Sequence, residues 1–351
     1  MNEIPLSSAQ GLLVVPHLRV QNANAISSQM THGFPSITAF VGLMWALERK
    51  LAAEPVPLRL LKVGVICHAQ QEQVNSGYVK TFRLTRNPVG RDGGTAGIVE
   101  EGRTHLELTL VFLVQQKRVA NVEPVLLTQV GDDVLNGWAQ HAADTLAGMR
   151  VAGGSVLPPV VGPGRMVRPW LRLLADDPDK RARQFRQWRR QWLPGFALVG
   201  RDDVLAEWLT QLQTSDPDAT ALDAWLELSR FNYRADPHDA NATAVKGSVR
   251  WRDPQRGKGS GWLVPIPVGY VGLSALHGAG QVRHARDERT PLRFVESVYS
   301  IGEWVSPHRI TDVEALLWQP EVDHAKALYR CRSGYGLAAA DDPDDDFYDY
   351  D

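Results

Sequence analysis

Uncharged hydrogen-bonding side chains are concentrated in one stretch near the N-terminus, between Gln21 and Pro35. Amide and hydroxyl groups can donate to phosphate oxygens and can also read the edges of bases and sugars. The stretch is longer than the roughly two to six residues that usually join a strand to a helix. It predicts either a nucleic-acid-binding loop or an ordinary loop in which these side chains cap turns. The candidate binding residues are Gln21, Asn22, Asn24, Ser27, Ser28 and His32.

Basic residues and glycines occur together between positions 70 and 103. Polar strand-like pieces lead into NPVGRDGGTAG, whose four glycines predict the flexible tip of an extended hairpin. The spacing fits neither G-x-x-x-x-G-K-[ST] nor G-x-G-x-x-G, so nucleotide binding is not indicated. A basic hairpin suits contact with a nucleic-acid backbone, whereas the alternative is a solvated hairpin whose charges prevent aggregation. The candidate cations are Arg83, Arg86, Arg91 and Arg103.

Arginines are frequent in two further segments. Residues 164–192 carry nine Lys and Arg residues against three Asp residues, which leaves a local charge of +6. The aromatic residues there, Phe185, Trp188 and Trp192, are spaced as on one helix face and predict core or partner contact rather than base stacking. Arg283 and Arg286 lie in the second basic segment, and Arg19 precedes the polar stretch. These three arginines are further candidates for RNA contact.

No pattern in the sequence indicates a catalytic or metal site. The ten histidines form no H-E-x-x-H pair, the two cysteines give no metal-binding spacing, and no G-x-S-x-G elbow is present. We therefore expect no catalytic residue, no metal and no cofactor. A histidine beside bound RNA could still act as a general base in RNA cleavage, and His17 and His32 are the candidates for that alternative.

Hydrophobic periodicity predicts the elements that position these residues. Residues 12–20 alternate as a strand, in which Leu12, Val14, Leu18 and Val20 are expected to face the same way. The next segment predicts a helix whose apolar face comprises Ile37, Phe40, Val41, Met44, Leu47 and Leu51.

Two strands and a second helix are predicted to follow this first pair. The strands lie at 60–68 and 104–114, and the helix runs from about residue 132 to 149. The first 150 residues therefore show the order β-α-β-β-α of a ferredoxin-like unit, and AGGSVLPP supplies a last strand or a loop beside it. Farther along, residues 262–274 predict an edge strand, because prolines are disfavoured in central strands.

The composition of the 351-residue chain is that of a soluble globular protein. It is 44% hydrophobic, which suffices for a sizeable core. The net charge of −2 gives no overall attraction to nucleic acid, so any such site must be local. Two cysteines fit a reducing cytoplasm, the N-terminus lacks a signal-peptide pattern, and no window reaches the roughly 18 apolar residues of a membrane span. We expect a soluble cytoplasmic protein without a membrane partner.

Seven motifs, in this order along the chain, carry a resemblance to a known family. They are QNANAISS, GFPSITAF, LTRNPVGRDGGTAGIVEEGR, AGGSVLPP, LPGFALV, GWLVPIPVGY and ARDERTPLRFVE. Together they resemble the second Csy protein of type I-F CRISPR–Cas systems, the Cas-five-type subunit of the Csy (Cascade-like) surveillance complex. The similarity extends from Leu12 to Tyr335.

The resemblance implies an α+β fold with a ferredoxin-like (RRM-like) core and an extended β-hairpin thumb. We expect the core at residues 1–160, with the hairpin at about 70–103, and a basic helical segment and C-terminal α/β region at 161–335. Composition predicts that residues 336–351 form an acidic, disordered tail.

The resemblance also implies a non-catalytic subunit that binds the 5′ handle of the crRNA. It implies pairing with the large Csy subunit and contact with the first backbone subunit, while target sequence is read by pairing between guide and DNA. Contact with the target DNA duplex stays open. The sheet lacks the RNP1 aromatic signature, so we expect the loop and hairpin to hold RNA. The alternative is a metal-independent endoribonuclease that cuts repeat RNA, as some Cas-five relatives do.

Overall fold

Seventeen strands and seven α-helices occur in the part of the chain that the computed structural model describes. That part comprises residues 10–52, 56, 58–85, 89–95, 99–117, 127–236, 250–253 and 261–338. The strands are β1 Gln10–Asn24, β2 Leu58–Glu72, β3 Val74–Asn75, β4 Thr81–Phe82, β5 Leu84–Thr85, β6 Val99–Glu100, β7 Arg103–Gln116, β8 Arg150–Val151, β9 Gly154–Leu157, β10 Trp170–Leu173, β11 Phe196–Gly200, β12 Arg234–Asp236, β13 Arg250–Arg252, β14 Trp262–Gly272, β15 Val295–Val305, β16 Trp318–Asp323 and β17 Leu328–Ser333.

The helices alternate with these strands and give a mixed α/β protein built on one large antiparallel sheet. The helices are α1 Ile37–Leu51, α2 Asp132–Ala147, α3 Pro178–Arg189, α4 Asp202–Ser215, α5 Ala221–Ser229, α6 Val313–Leu316 and α7 Tyr335–Ala338. Single 3-10 turns lie at Leu127–Gln129, Arg190–Trp192 and Pro307–Arg309. No helix within the described ranges has the length and apolar character needed to cross a membrane.

The N-terminal half of the sheet has the strand order β2-β7-β1-β9-β8, and every neighbouring pair is antiparallel. Helix α1 joins β1 to β2, and α2 joins β7 to β8 and β9. The AGGSVLPP segment does supply a strand, since β9 pairs with β1 through Arg19, Val20 and Gln21. The predicted strands and helices are therefore present, and each strand extends a few residues beyond its predicted bounds.

A bulge in β1 overturns the predicted alternation of that strand. His17 has a φ of 51°, and the register between β1 and β7 shifts at this point. The extra residue reverses the parity of the strand, because successive side chains point to opposite faces. Leu12 and Val14 lie in one buried cluster, whereas Leu18 and Val20 lie in the other. The prediction that these four residues face the same way was therefore wrong.

Both faces of the sheet are covered. The predicted apolar face of α1 is confirmed, since all six of its residues are buried in the cluster that also holds the inner face of α2. Helix α3 covers the other face, where Phe185, Trp188 and Trp192 are buried against β1 and β7. The prediction that this aromatic stripe is core is confirmed.

The C-terminal strands close into a ring on β2. Their order is β11-β15-β14-β17-β16, and β2 pairs with β11 at Ile66 and Cys67 and with β16 at Val63. The predicted edge position of β14 was wrong, because β14 has β15 on one side and β17 on the other. Pro265 and Pro267 precede the residues that pair with β17, so their missing N–H groups are not needed there.

Part of the predicted C-terminal tail is helical. The tail was expected to start at residue 336, but α7 continues through Ala338. Residues 339–351, which contain the acidic run, lie outside the described residues.

Candidate nucleic-acid interface

The polar stretch begins on a strand rather than in a loop. Strand β1 continues to Asn24, so Gln21, Asn22 and Asn24 belong to its end and the prediction of a loop from Gln21 was wrong. Pairing with β7 on one side and β9 on the other fixes this backbone. Asn22 forms a second bulge at a φ of 57°, and its N–H donates to Nδ1 of His105 over 3.1 Å. The side chains of Gln21 and Asn22 stay exposed.

The loop after β1 is folded back on itself around Thr31. The hydroxyls of Ser27 and Ser28 lie 2.8 and 2.7 Å from Oγ1 of Thr31, and the hydroxyl of Ser28 also accepts the N–H of Thr31 over 3.1 Å. An isolated bridge joins Ile26 to His32. The two serines therefore shape the loop as capping residues do, which fits the alternative of an ordinary loop for this part of the stretch.

The region predicted as a hairpin contains two short antiparallel pairs, β3 with β4 and β5 with β6, and the loop lies against its base. The N–H of Ala25 donates to the carbonyl of Gly102 over 2.9 Å. Nδ1 of His32 lies 3.0 Å from Oε1 of Glu72, and its ring meets the Phe82 ring edge-on at 5.6 Å between centroids. The His32 side chain is still 66% exposed. Loop and hairpin thus present one continuous surface.

The predicted hairpin cations lie at different distances from this junction. Asn24 pairs with Arg103 across the β1–β7 ladder, and Arg103 donates to Glu101 with an Nη2–Oε2 distance of 2.6 Å. Arg83 donates to the side-chain oxygen of Gln73 over 3.2 Å and is exposed. Arg91 is exposed in the turn at the tip, while Arg86 lies outside the described residues. Both side chains of this pair are about one-third exposed, and ion pairs that solvent reaches contribute only about 0–1 kcal/mol, so Arg103 can exchange its carboxylate for a phosphate.

The remaining predicted arginines are not part of this junction. Arg19 is half-buried on β1 and donates to the carbonyl of Pro158 over 3.2 Å, which holds the segment that follows β9. Arg283 and Arg286 are exposed in the connection between β14 and β15. Within the described residues they make no hydrogen bond or ion pair to the loop or the hairpin.

A buried polar cluster on the sheet was not predicted as a unit. Nδ1 of His17 lies 2.6 Å from Oε1 of Glu107, and Arg165 donates to the same oxygen. Nε2 of His68 lies 2.7 Å from Oγ1 of Thr109, and the two imidazole rings stack at 4.3 Å. The sequence did show His17, Glu107 and Thr109 on the polar faces of two predicted strands. It did not show that these two strands are neighbours, so the cluster could not be predicted from it.

Burial and hydrogen bonds shift the pKa values of Glu107, His68 and Cys67 in and beside this cluster. Burial raises the pKa of the Glu107 carboxyl, but the hydrogen bonds from Arg165 and His17 outweigh it and leave the pKa below the usual value. Burial lowers the pKa of His68, although the hydrogen bond to the Pro194 carbonyl opposes that shift. Burial also raises the pKa of the Cys67 thiol to about 12, which leaves it protonated and unreactive.

No group of three or more His, Cys, Asp or Glu side chains within the described residues is arranged to hold a metal ion. The junction therefore offers amides, one exposed imidazole and cations. These groups suit hydrogen bonding to a polyanion and to base edges.

Comparison with known proteins gives two matches that cover nearly the whole chain. The family model described as CRISPR-associated protein (Cas_Csy2) matches residues 13–331. The CRISPR-associated protein Csy2 of Pseudomonas aeruginosa (strain UCBPP-PA14) is 41% identical over 332 residues, which is 93% of this chain and 96% of that protein.

Proposed function

Because this chain belongs to the Cas_Csy2 family of CRISPR-associated proteins, we propose that it is the subunit of a type I-F Csy complex that binds the 5′ handle of the crRNA. It binds the handle without cutting it and pairs with the large Csy subunit, beside the first backbone subunit. It acts in the cytoplasm. Membership of the family supports a place in the complex, and the junction of loop and hairpin supports the contact with RNA.

The observation that carries the RNA contact is the docking of the 25–35 loop on the hairpin base. Two exposed amides, an exposed imidazole and Arg103 lie within one surface, and the hairpin extends Arg83 and Arg91 away from it. Single-stranded RNA is recognised through splayed bases and phosphates together. This surface supplies hydrogen-bonding groups for the former and cations for the latter.

The strand order supports a ferredoxin-like core for this subunit. In chain order the core elements are β1, α1, β2, β7, α2 and β9, and the sheet order is β9-β1-β7-β2. This order is the one expected for the split β-α-β arrangement of that fold, which supports the proposal. Helix α3 and the segment around Arg165 cover the face that would otherwise take bases, so the loop and hairpin become the RNA-binding parts.

The test replaces Arg83, Arg91 and Arg103 by Ala and measures binding of guide RNA by the assembled subunits across a range of salt. Each lost phosphate contact lowers the slope of log K against log salt by about 0.7 for single strands. We expect a weaker complex and a slope reduced by roughly two. A set of unchanged affinities and slopes would refute the role of the hairpin.

The matched control removes the same charge elsewhere. Arg183, Arg186 and Arg190 are exposed on and just after α3, on the covered face of the sheet. Their replacement by Ala should leave the salt slope for RNA unchanged. An equal loss in both variants would show a non-specific effect of net charge.

A further inference from the structure

A groove of about 650 Å³ lies beside the N-terminal half of α1. Its walls come from α1, the 25–35 loop, the turn after β8, and strands β14 and β17. Its volume falls in the range of about 300–1,000 Å³ that is typical of ligand sites. Asn24 and Ser27, which belong to the predicted RNA-binding stretch, form one edge. The groove is therefore continuous with the loop–hairpin junction.

Three aromatic rings form one wall of this groove. The rings of Trp45 and Tyr329 meet edge-on at 6.1 Å, and those of Tyr329 and Tyr270 stack at 6.4 Å with an interplanar angle of 22°. Trp45 is 39% exposed and Tyr270 is 41% exposed, so ring surface faces the groove rather than the core. Burial raises the pKa of Tyr329, which keeps this phenol neutral. Aromatic surfaces of this kind stack against bases of single-stranded nucleic acid.

Charge at the groove has a single sign. Arg150 is exposed at the rim, and no carboxylate occurs among the described residues that line the groove. Asn24 uses one amide hydrogen for the carbonyl of Ile26, at 2.7 Å, which leaves its second amide hydrogen for a ligand. The groove thus combines an apolar ring surface, hydrogen-bonding groups and one cation. These groups complement the base, the sugar and the phosphate of a nucleotide.

We propose that this groove binds one unpaired nucleotide of the guide RNA, with its base against Trp45, Tyr329 and Tyr270 and its phosphate toward Arg150. The inference rests on the proposed function, because it places a second RNA contact beside the loop–hairpin junction. It also gives the C-terminal ring a part in RNA binding, since Tyr270 and Tyr329 belong to β14 and β17.

Gly42 allows a test that does not weaken the fold. It is an exposed residue of α1 at the groove, and an added Cβ would meet no atom within 4 Å. Gly42→Leu places an apolar side chain in the groove, and it favours the helix because Leu has a higher helix propensity than Gly. The matched control is Gly137→Leu, at an exposed position of α2 that is equally open. Both variants should melt at or above the temperature of the parent.

Binding of guide RNA by the assembled subunits is then measured for both variants. We expect Gly42→Leu to weaken binding about fivefold or more, the effect of losing one stacked base. The salt slope should stay close to that of the parent, because few phosphate contacts change. Gly137→Leu should bind as the parent does. Ultraviolet cross-linking of the parent complex, read by mass spectrometry, should place RNA on a peptide that contains Trp45 or Tyr270.

Two outcomes would overturn the proposal while the proposed function stands. One is parent-like RNA binding by Gly42→Leu together with no cross-link at either aromatic residue, while the hairpin variant loses RNA. The other is weaker binding of Gly42→Leu to the partner subunits when no RNA is present, which would assign the groove to a protein segment. If the partner subunits retained the same amount of RNA with and without this chain, the proposed function would be refuted, and the proposed nucleotide site in the groove would be refuted with it.

Discussion

Glu107 accepts hydrogen bonds from the buried His17 and from Arg165. This arrangement bears on the alternative that the protein is an endoribonuclease. His17 is 8% exposed and its Nδ1 is held by the carboxylate, so a substrate hydroxyl has little access to it. His32 is exposed and paired with Glu72, so it is the candidate of the two whose imidazole a substrate could reach. Incubation of repeat RNA with the full chain in EDTA should give no cleavage, and cleavage that His32→Ala abolishes would contradict the non-catalytic proposal.

Glu107→Gln should lower stability in a pH-dependent way. The folded-state pKa lies below the ordinary 4.5, so its stabilisation is present above that value and is lost as pH falls through the lowered folded pKa. We expect a loss of about 2 kcal/mol at pH 7, the scale of hydrogen bonds to a charged group. Urea unfolding at pH 7 and pH 3 should show the difference from the parent shrinking in acid.

The control for this substitution is Glu321→Gln. Glu321 pairs with Arg332 at 2.9 Å, but both side chains are nearly half exposed. The expected change is below about 1 kcal/mol at either pH. A loss at Glu107 that is the same at pH 7 and pH 3 would contradict the ionic origin of the effect.

At the scale of elements, apolar periodicity predicted the helices and strands but not the irregularities within them. The face of α1 was predictable because a helix of fifteen residues repeats the same pattern several times. The bulges at His17 and Asn22 could not be predicted. One extra residue hardly changes the composition of a strand, and a bulge shows only in the register with the partner strand. In the polar stretch the sequence left turn capping and nucleic-acid contact as alternatives, and only the folded loop shows that Ser27 and Ser28 bond to Thr31.

Gly154→Ala should disturb the end of β1, where the candidate RNA-binding residues lie. A Cβ at this position would stand 2.5 Å from Cγ1 of Val20 and 2.8 Å from the backbone nitrogen of Ala23. Neither the ladder nor a buried valine can move freely, and such overpacking costs typically about 1–3 kcal/mol. Thermal unfolding should show a lower melting temperature than the parent. Gly137→Ala, in the open part of α2, should instead raise it; equal shifts would contradict the steric argument.

At the scale of the whole molecule, the N-terminal half of the sheet and the C-terminal strands are joined by strand pairing in one sheet, not by a linker alone. Strand β10 pairs with β1, and β11 and β16 pair with β2. The sequence could not predict this, because the strands that pair are separated by more than a hundred residues and carry no mark of their partner. The groove beside α1 exists for the same reason, since its walls come from both halves.

The shared sheet predicts a single cooperative unfolding transition. Calorimetry of the full chain should give a van't Hoff enthalpy close to the calorimetric enthalpy, as expected when no intermediate is populated. A fragment of residues 1–160 should fail to fold stably, because it lacks α3 and leaves Leu12, Val14 and Val111 exposed on one face. Two separate transitions, or a folded fragment, would contradict this interpretation.

The pairing of both β11 and β16 with β2 also affects how the free subunit avoids aggregation before it assembles. An unpaired strand edge is a template for another chain, and a subunit that awaits its partners is exposed to that hazard. Here β11 and β16 direct hydrogen-bonding groups toward β2 of their own chain, at residues 63–67. Strands β11 and β16 are thereby shielded from pairing with neighbouring copies, so side chains, rather than the edges of these two strands, select the partners of this subunit.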